Sequence, residues 1–243
     1  RIPLVGRIEI YPVEEEQPRW LAYLNNEYDY IRPIPTPFID TAMPGGKLAP
    51  NLAKRNMQTR PDEVAWLTYT TFNMAETIDG KPNVVGGYSA EKIALRRAIS
   101  IAYPVEEEIS IVEKNQAIKA WSPIAEGMAG FVNERTPTLD FSIPRAKALL
   151  DMYGYLDRDG DGWREMPDGS PLTVDHGTTP DQRARSRNEL WRRAMEKISI
   201  RMTFDKVEKL PDLRKQAQTG RVQMLSYGWI ADYPDGENFL QLF

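Results

Sequence analysis

Apolar positions along the chain recur at two periods, two and about 3.6, and the switches between them mark the predicted elements. LVGRIEIYP, residues 4–12, alternates apolar and polar side chains and predicts a strand. EEEQPRWLAYLNN puts Trp20, Leu21 and Leu24 on one side of a short helix, and EYDYI after it reads as another strand. From Arg32 to Pro61 the chain is dominated by Pro, Gly and polar residues. Such a stretch predicts a long loop or a crossing between lobes. EVAWLTYTTFNM returns to strand composition, and GKPNVVGG interrupts it.

Helical spacing takes over next. Ser89 is a suitable N-cap for AEKIALRRAISIA, in which Leu95, Ile99 and Ala102 share a face. Pro104 then kinks this helix or opens a new one, VEEEISIVEKN. Ser142 caps a further helix with Pro144 in its first turn, Ala146, Leu149, Leu150 and Tyr153 on its apolar side, and Gly154 at its end. In the last third the order becomes strand (PLTVDH), long helix opened at Thr179 and Pro180, strand (ISIRMTFDKVE), short helix (LPDLRKQAQTG), strand (VQMLSYGW). Leu190, Ala194 and Ile198 form the stripe of the long helix, with Trp191 and Met195 beside it. Right-handed crossovers make such strands parallel neighbours with helices on the sheet faces. Ligands of open sheets of this kind bind beyond the carboxyl ends of the strands.

Composition narrows the function classes. The 243 residues are 41% apolar and 27% charged, which allows one large domain or two smaller ones. A net charge of -4 with mixed signs argues against a nucleic-acid surface, which needs clustered, unbalanced Lys and Arg. No run of eighteen apolar residues is present to span a membrane. With no Cys there is no thiol catalysis, no Cys-ligated zinc and no disulfide. The start at RIPLVGRIEIYP, without Met or a signal segment, and the apolar stop at FLQLF predict a mature chain or an excised piece with sequence missing downstream.

Three places hold candidate chemistry. GWIADYPDGENF follows the last strand and therefore stands at the rim where a ligand is expected. There Asp232 could accept charge-assisted hydrogen bonds from an ammonium group, with Trp229 as an apolar wall or cation-binding face and Tyr233 beside them. The plainer reading is a Pro-containing turn with Trp229 in the core. DRDGDGWREMPD places Asp157, Asp159 and Asp161 at alternate positions, Gly162 sixth and Asp168 twelfth, the oxygen spacing of a calcium loop. Against that stand Arg164 at the eighth position, Asp for Glu at the twelfth, and a strand where an exiting helix belongs. A structural calcium clip and a simple turn both remain open. His176, the only histidine, ends PLTVDH near the same rim; no nucleophile motif accompanies it, which favours a structural role with an indirect ligand contact as the alternative. The pairs Arg96–Arg97 and Arg192–Arg193 read as solvated helix faces.

FNM, EKIALRRAI, SIPRAKALLDMYGY, DRDGDGWREMPDGSPL, ISIRMTFDKVE and GWIADYPDGENFL, in this order, resemble the family 5 solute-binding proteins of ABC importers, the dipeptide and oligopeptide binders. The resemblance is strongest from Phe72 onward. It implies an α/β fold of the periplasmic-binding-protein type (type II), a mixed sheet with helices on both faces, and a partial two-lobe protein. Residues 1–72 would end the first lobe and residues 73–243 would form most of the second. It also implies an extracytoplasmic, usually monomeric protein that hands a peptide or other small solute to a membrane permease and catalyses nothing. Asp232 matches the Trp-X-X-Asp aspartate that takes the ligand's amino terminus in peptide-binding members, and Tyr69 would line the cleft from the other side. Two other classes stay open: a glycosidic hydrolase pairing Asp232 with a second acid, and a calcium-dependent structural domain.

Overall fold

The computed structural model describes residues 4–13, 15–60, 63–132, 134, 140–207 and 209–242. Arg1 to Pro3, Glu14, Pro61, Glu208 and Phe243, at the ends of predicted segments, lie outside the described residues. The chain divides into two compact units, Arg1–Asp62 and Glu63–Phe243.

In the first unit, α1 (Glu16–Leu24) buries Trp20, which stacks on Phe38 with ring centroids 5.7 Å apart. Ala42, Ala49 and Leu52 complete this small core. The segment predicted as loop contains two short α-helices, α2 (Ile39–Ala42) and α3 (Pro50–Ala53), and two single 3₁₀ turns, three of the four with a Pro in the first turn. Proline fixes φ near its helical value, so Pro-rich sequence supports helix starts as readily as loop. The strands predicted at LVGRIEIYP and EYDYI do not form among the described residues. Leu4, Val5, Ile8 and Ile10 are exposed there. Alternation supplies a face for a strand, but a strand also needs a hydrogen-bonding neighbour.

The second unit is built on a four-stranded mixed sheet, in the order β1 (Trp66–Phe72), β6 (Met224–Ile230), β4 (Thr173–Thr178), β5 (Arg201–Lys206). β4 runs parallel to both its neighbours, while β1 pairs antiparallel with β6 from Trp66–Ile230 to Phe72–Met224. β1 therefore belongs to the second compact unit, which starts at Glu63. A two-residue hairpin, β2 (Thr77–Ile78) and β3 (Lys81–Pro82), follows β1.

One face of the sheet carries the main core. α4 (Ala90–Ala102), α6 (Ile143–Met152) and α7 (Gln182–Lys197) pack there over Val174, Ile200 and Met224. Ser89 caps α4 as predicted, its hydroxyl accepting from the Lys92 N–H, and Ser142 does the same for α6 through Arg145. The cap of α7 is Asp181, one residue beyond the predicted start. The opposite face is covered by α8 (Leu210–Gln218), with Leu213 against Val222 and Leu225. α8 sits so close that a Cβ on Gly177 would lie 2.9 Å from Leu213 Cδ1 and 3.0 Å from Val222 Cγ1, so the central strand needs glycine there. Helices thus cover both faces of the sheet.

A buried ionic cluster ties α7 to the short segment after α4. Pro104 opens a new helix, α5 (Val105–Glu107), which passes into one π-turn, Glu108–Val112. Arg187 Nε lies 2.6 Å from Glu108 and its Nη2 3.2 Å from Glu113, and all three side chains are 15% exposed. Burial is the largest single influence and opposes the guanidinium charge, but Glu108, Tyr103 and Glu113 together outweigh it and leave Arg187 more basic than usual. Beside it Tyr103 stacks on Trp191 at 3.9 Å. Removing Glu108 leaves the largely buried Arg187 guanidinium only Glu113, which Arg183 also engages, whereas removing Glu108 and Arg187 together leaves Glu113 paired with Arg183. Glu108→Ala is expected to cost about 3 kcal/mol in urea unfolding, and the double variant Glu108→Leu/Arg187→Met less than that single change.

Candidate functional site

β6 ends at Ile230, and the chain then turns across the rim at the carboxyl ends of the parallel strands. Three backbone contacts fix this turn. Ala231 N–H donates to Ala65 O at 2.9 Å, Gly236 N–H donates to Ala129 O at 3.0 Å, and Asp235 bridges Ala129. A Cβ on Gly236 would lie 2.7 Å from both Ala129 O and Ile124 Cδ1, so only glycine permits the approach. The single helical turn α9 (Glu237–Leu240) then buries Phe239 completely against Leu67 and Met128.

Asn238 precedes Phe239 and is 1% exposed. Its Oδ1 accepts two hydrogen bonds, from Trp229 Nε1–H at 2.9 Å and from the Asp232 backbone N–H at 3.0 Å. Both partners are donors, so the amide oxygen must face them. Trp229 is half-buried and packs on the Leu67 cluster. Asp232 is exposed, and among the described residues its carboxylate makes no hydrogen bond or ion pair. Tyr233 is 45% exposed beside it. Tyr69 lies on the same sheet face as Trp229, since Leu67 pairs with Trp229 and Tyr69 with Tyr227. Its ring meets Tyr227 edge-on at 6.3 Å, and burial, then Tyr227, raises its pKa. Trp229 and Tyr69 thus share one face of the sheet, and the turn that carries Asp232 and Tyr233 begins directly after the strand that holds Trp229. An open carboxylate beside an anchored indole is suited to an ammonium group. Sequence reading missed Asn238, because a buried amide nine residues after its partner carries no periodic signal.

His176 does not join them. It is the fourth residue of β4, 2% exposed, and points to the main-core face, opposite Trp229. Its ring packs between Trp191 and Phe204, at 6.0 and 5.9 Å, and Nε2 lies 3.1 Å from Ser226 Oγ, which also meets Thr70 Oγ1 at 3.1 Å. This fits the structural role favoured for it from sequence and not the alternative of an indirect contact at the rim, because alternation along β4 turns this side chain inward. Burial first, then the charge of Arg187, pushes its pKa down to about 4.

The acidic turn forms, with one change of membership. Carboxylate oxygens of Asp157, Asp159, Asp161 and Glu165 all lie within 4.8 Å of one another. Asp168 stands apart. Its carboxylate accepts from Ser170 N–H at 2.9 Å and Ser170 Oγ–H at 2.6 Å, and these bonds lower its pKa. The bridge between Glu165 and Pro171 closes a hairpin that puts Asp168 in its tip, while the Glu165 N–H donates to Leu156 O at 2.9 Å and so holds Glu165 against the start of the loop. Asp157 accepts from Gly160 N–H at 2.7 Å and Gly162 N–H at 2.9 Å, Asp161 accepts from Trp163 N–H, and Arg201 pairs with Asp161. Four hard oxygen donors suit calcium, and the same hydrogen bonds close the loop as a turn. A separate cleft of about 470 Å³, lined by Ile78, Lys81, Asp175, Asp205 and Arg221 among others, contains none of the rim residues.

The family model for bacterial extracellular solute-binding proteins, family 5 Middle, matches residues 1–243. No curated protein matches the chain significantly. Among solved structures, OppA of Burkholderia pseudomallei aligns with 96% of this chain and 41% of its own at 19% identity and a TM-score of 0.70. NikA of Brucella suis, in complex with Fe(III)-EDTA, aligns over 94% and 42% at 20% identity and 0.70. DppA of Helicobacter pylori, in complex with the peptide STSA, aligns over 94% and 38% at 18% identity and 0.68. The chain thus spans about two-fifths of these proteins' length.

Two outcomes follow from the local chemistry. The folded-state pKa of His176 lies below the usual 6.5, so its contribution is complete above pH 6.5 and is lost as pH falls through 4. The stability of the wild-type chain relative to His176→Gln should therefore shrink by about 3 kcal/mol between pH 7 and pH 4, read by urea unfolding at each pH. Asp157→Ala removes the acceptor for two loop N–H groups and should lower Tm by roughly 2–4 °C. A loss that is larger in millimolar calcium than in chelator would mark an ion shared by the loop.

Proposed function

This chain belongs to the family 5 bacterial extracellular solute-binding proteins, and from that premise we propose that it is part of the substrate-binding component of an ABC importer for peptides or similar amine-bearing solutes. The observation that carries the reading is the open carboxylate of Asp232 beside the anchored indole of Trp229, at the carboxyl ends of the strands. The family is one of non-enzymatic binders, so no chemical step is assigned and the hydrolase alternative is set aside.

In this reading the complete protein closes two lobes on the solute, and Glu63–Phe243 belongs to the second. Asp232 takes the ligand's ammonium group, Trp229 and Tyr233 supply the apolar wall, and Tyr69 supports that wall from β1. Ligand binding shifts the balance between open and closed forms, and the closed form is what the permease reads. The protein works outside the cytoplasm, in the periplasm or at the cell surface, as a monomer. Peptide complexes of relatives, such as that of the Helicobacter pylori protein with STSA, support the solute class. Among the described residues no helix is long and apolar enough to cross a membrane.

Native mass spectrometry of the complete protein, purified without refolding, tests this directly. A peptide-sized mass should be retained by the wild type and lost from Asp232→Ala, whose affinity should fall by roughly two to three orders of magnitude. Retention of one non-peptide ligand by both forms would overturn the peptide assignment.

A further inference from the structure

We infer that Asn238 is the positioning residue for amine selectivity, holding Trp229 and Asp232 in one fixed relation through a single buried oxygen. This rests on the function proposed above and adds a residue that does not itself meet the solute. Trp229 is the penultimate residue of β6 and Asp232 lies three residues on, in the exposed turn that follows the strand, where backbone and side chain are ordinarily free to sample several conformations. Asn238 ties the backbone of that turn to the Trp229 ring. Its Oδ1 receives the indole N–H at 2.9 Å and the backbone N–H of Asp232 at 3.0 Å. Being 1% exposed, it offers these donors no competition from water.

The anchor is rigid for reasons visible on each side of it. Phe239 is fully buried, and Gly236 lies against Ala129 and Ile124 without room for a side chain. Asn238 is thus fixed in the chain before it accepts either bond. Affinity gained from a charged contact depends on how little must be ordered when the ligand arrives. With the oxygen gone, Asp232 would keep its charge but its backbone would no longer be held to the indole, and the advantage of a free amine over a blocked one would fall. An apolar residue here would also leave the indole N–H buried without an acceptor.

The test uses the full-length protein and two probes: an equimolar pool of alanine-based di- to tetrapeptides with free amino termini, and the same pool N-acetylated. Wild-type protein should prefer the free amines. Asn238→Leu should weaken free-amine binding roughly ten- to hundredfold, flatten the preference toward that of Asp232→Ala, and speed hydrogen exchange at the Asp232 amide. Asn238→Asp keeps an accepting oxygen and should restore the preference. The double variant Asn238→Leu/Asp232→Ala should bind no more weakly than Asp232→Ala alone, because the two residues act as one unit. Should Asn238→Leu fail to fold, Trp229→Phe removes one of the two donors and should give part of the same loss. A folded Asn238→Leu that keeps wild-type affinity and amine preference overturns the inference alone. A wild type that binds neither pool overturns the proposed function and the inference with it.

Discussion

The structure depends on the demand of one strand, β6, for hydrogen-bonding neighbours along both its edges. β1 satisfies one edge over seven antiparallel pairs, and β4 satisfies part of the other in parallel. Because unpaired buried backbone groups are costly, the two ends of the second unit are drawn together through this strand. The link spans from Trp66 to Ile230 in sequence. The residues proposed for the site hang from it: β1 brings Tyr69, β6 carries Trp229, and the turn after β6 presents Asp232.

The two faces of that sheet do different work. One is an apolar core in which even the polar residues are absorbed, His176 through Ser226 and Arg187 through Glu108 and Glu113. The other is apolar where α8 and Phe239 cover it and ends in an open rim. A binding protein needs this division. The buried side holds the strand ends still, so that the exposed carboxylate at the rim need not be held by partners of its own. Asn238 is where the two requirements meet, since it is buried like a core residue yet bonded to the groups at the rim.

The acidic turn shows how spacing and tertiary position can part company. Three of its predicted carboxylates converge, but the twelfth position is lost because the chain reverses before reaching it. In a calcium loop that leads into a helix the twelfth residue returns to the ion; here the hairpin carries the twelfth residue away, and Glu165, tied to Leu156 at the loop's start, joins the three aspartates instead. Spacing described the first half of the loop and the exit element decided the second.

Sequence alone determined the capped helices α4 and α6, the strand–helix alternation of the last third, and the location of Asp232 and Tyr233 just past a strand, although the strand runs on through Trp229 to Ile230. These are set by local periodicity, capping chemistry and turn residues, which act within a few positions. The family resemblance was carried by the same local blocks in order. Tertiary structure alone decided that LVGRIEIYP finds no strand partner among the described residues, that β1 pairs with β6, that His176 turns into the core, and that Asn238 reaches back to Trp229. Each of these depends on which distant segment lies alongside. A side chain's own sequence neighbourhood does not encode the neighbour that folding will supply.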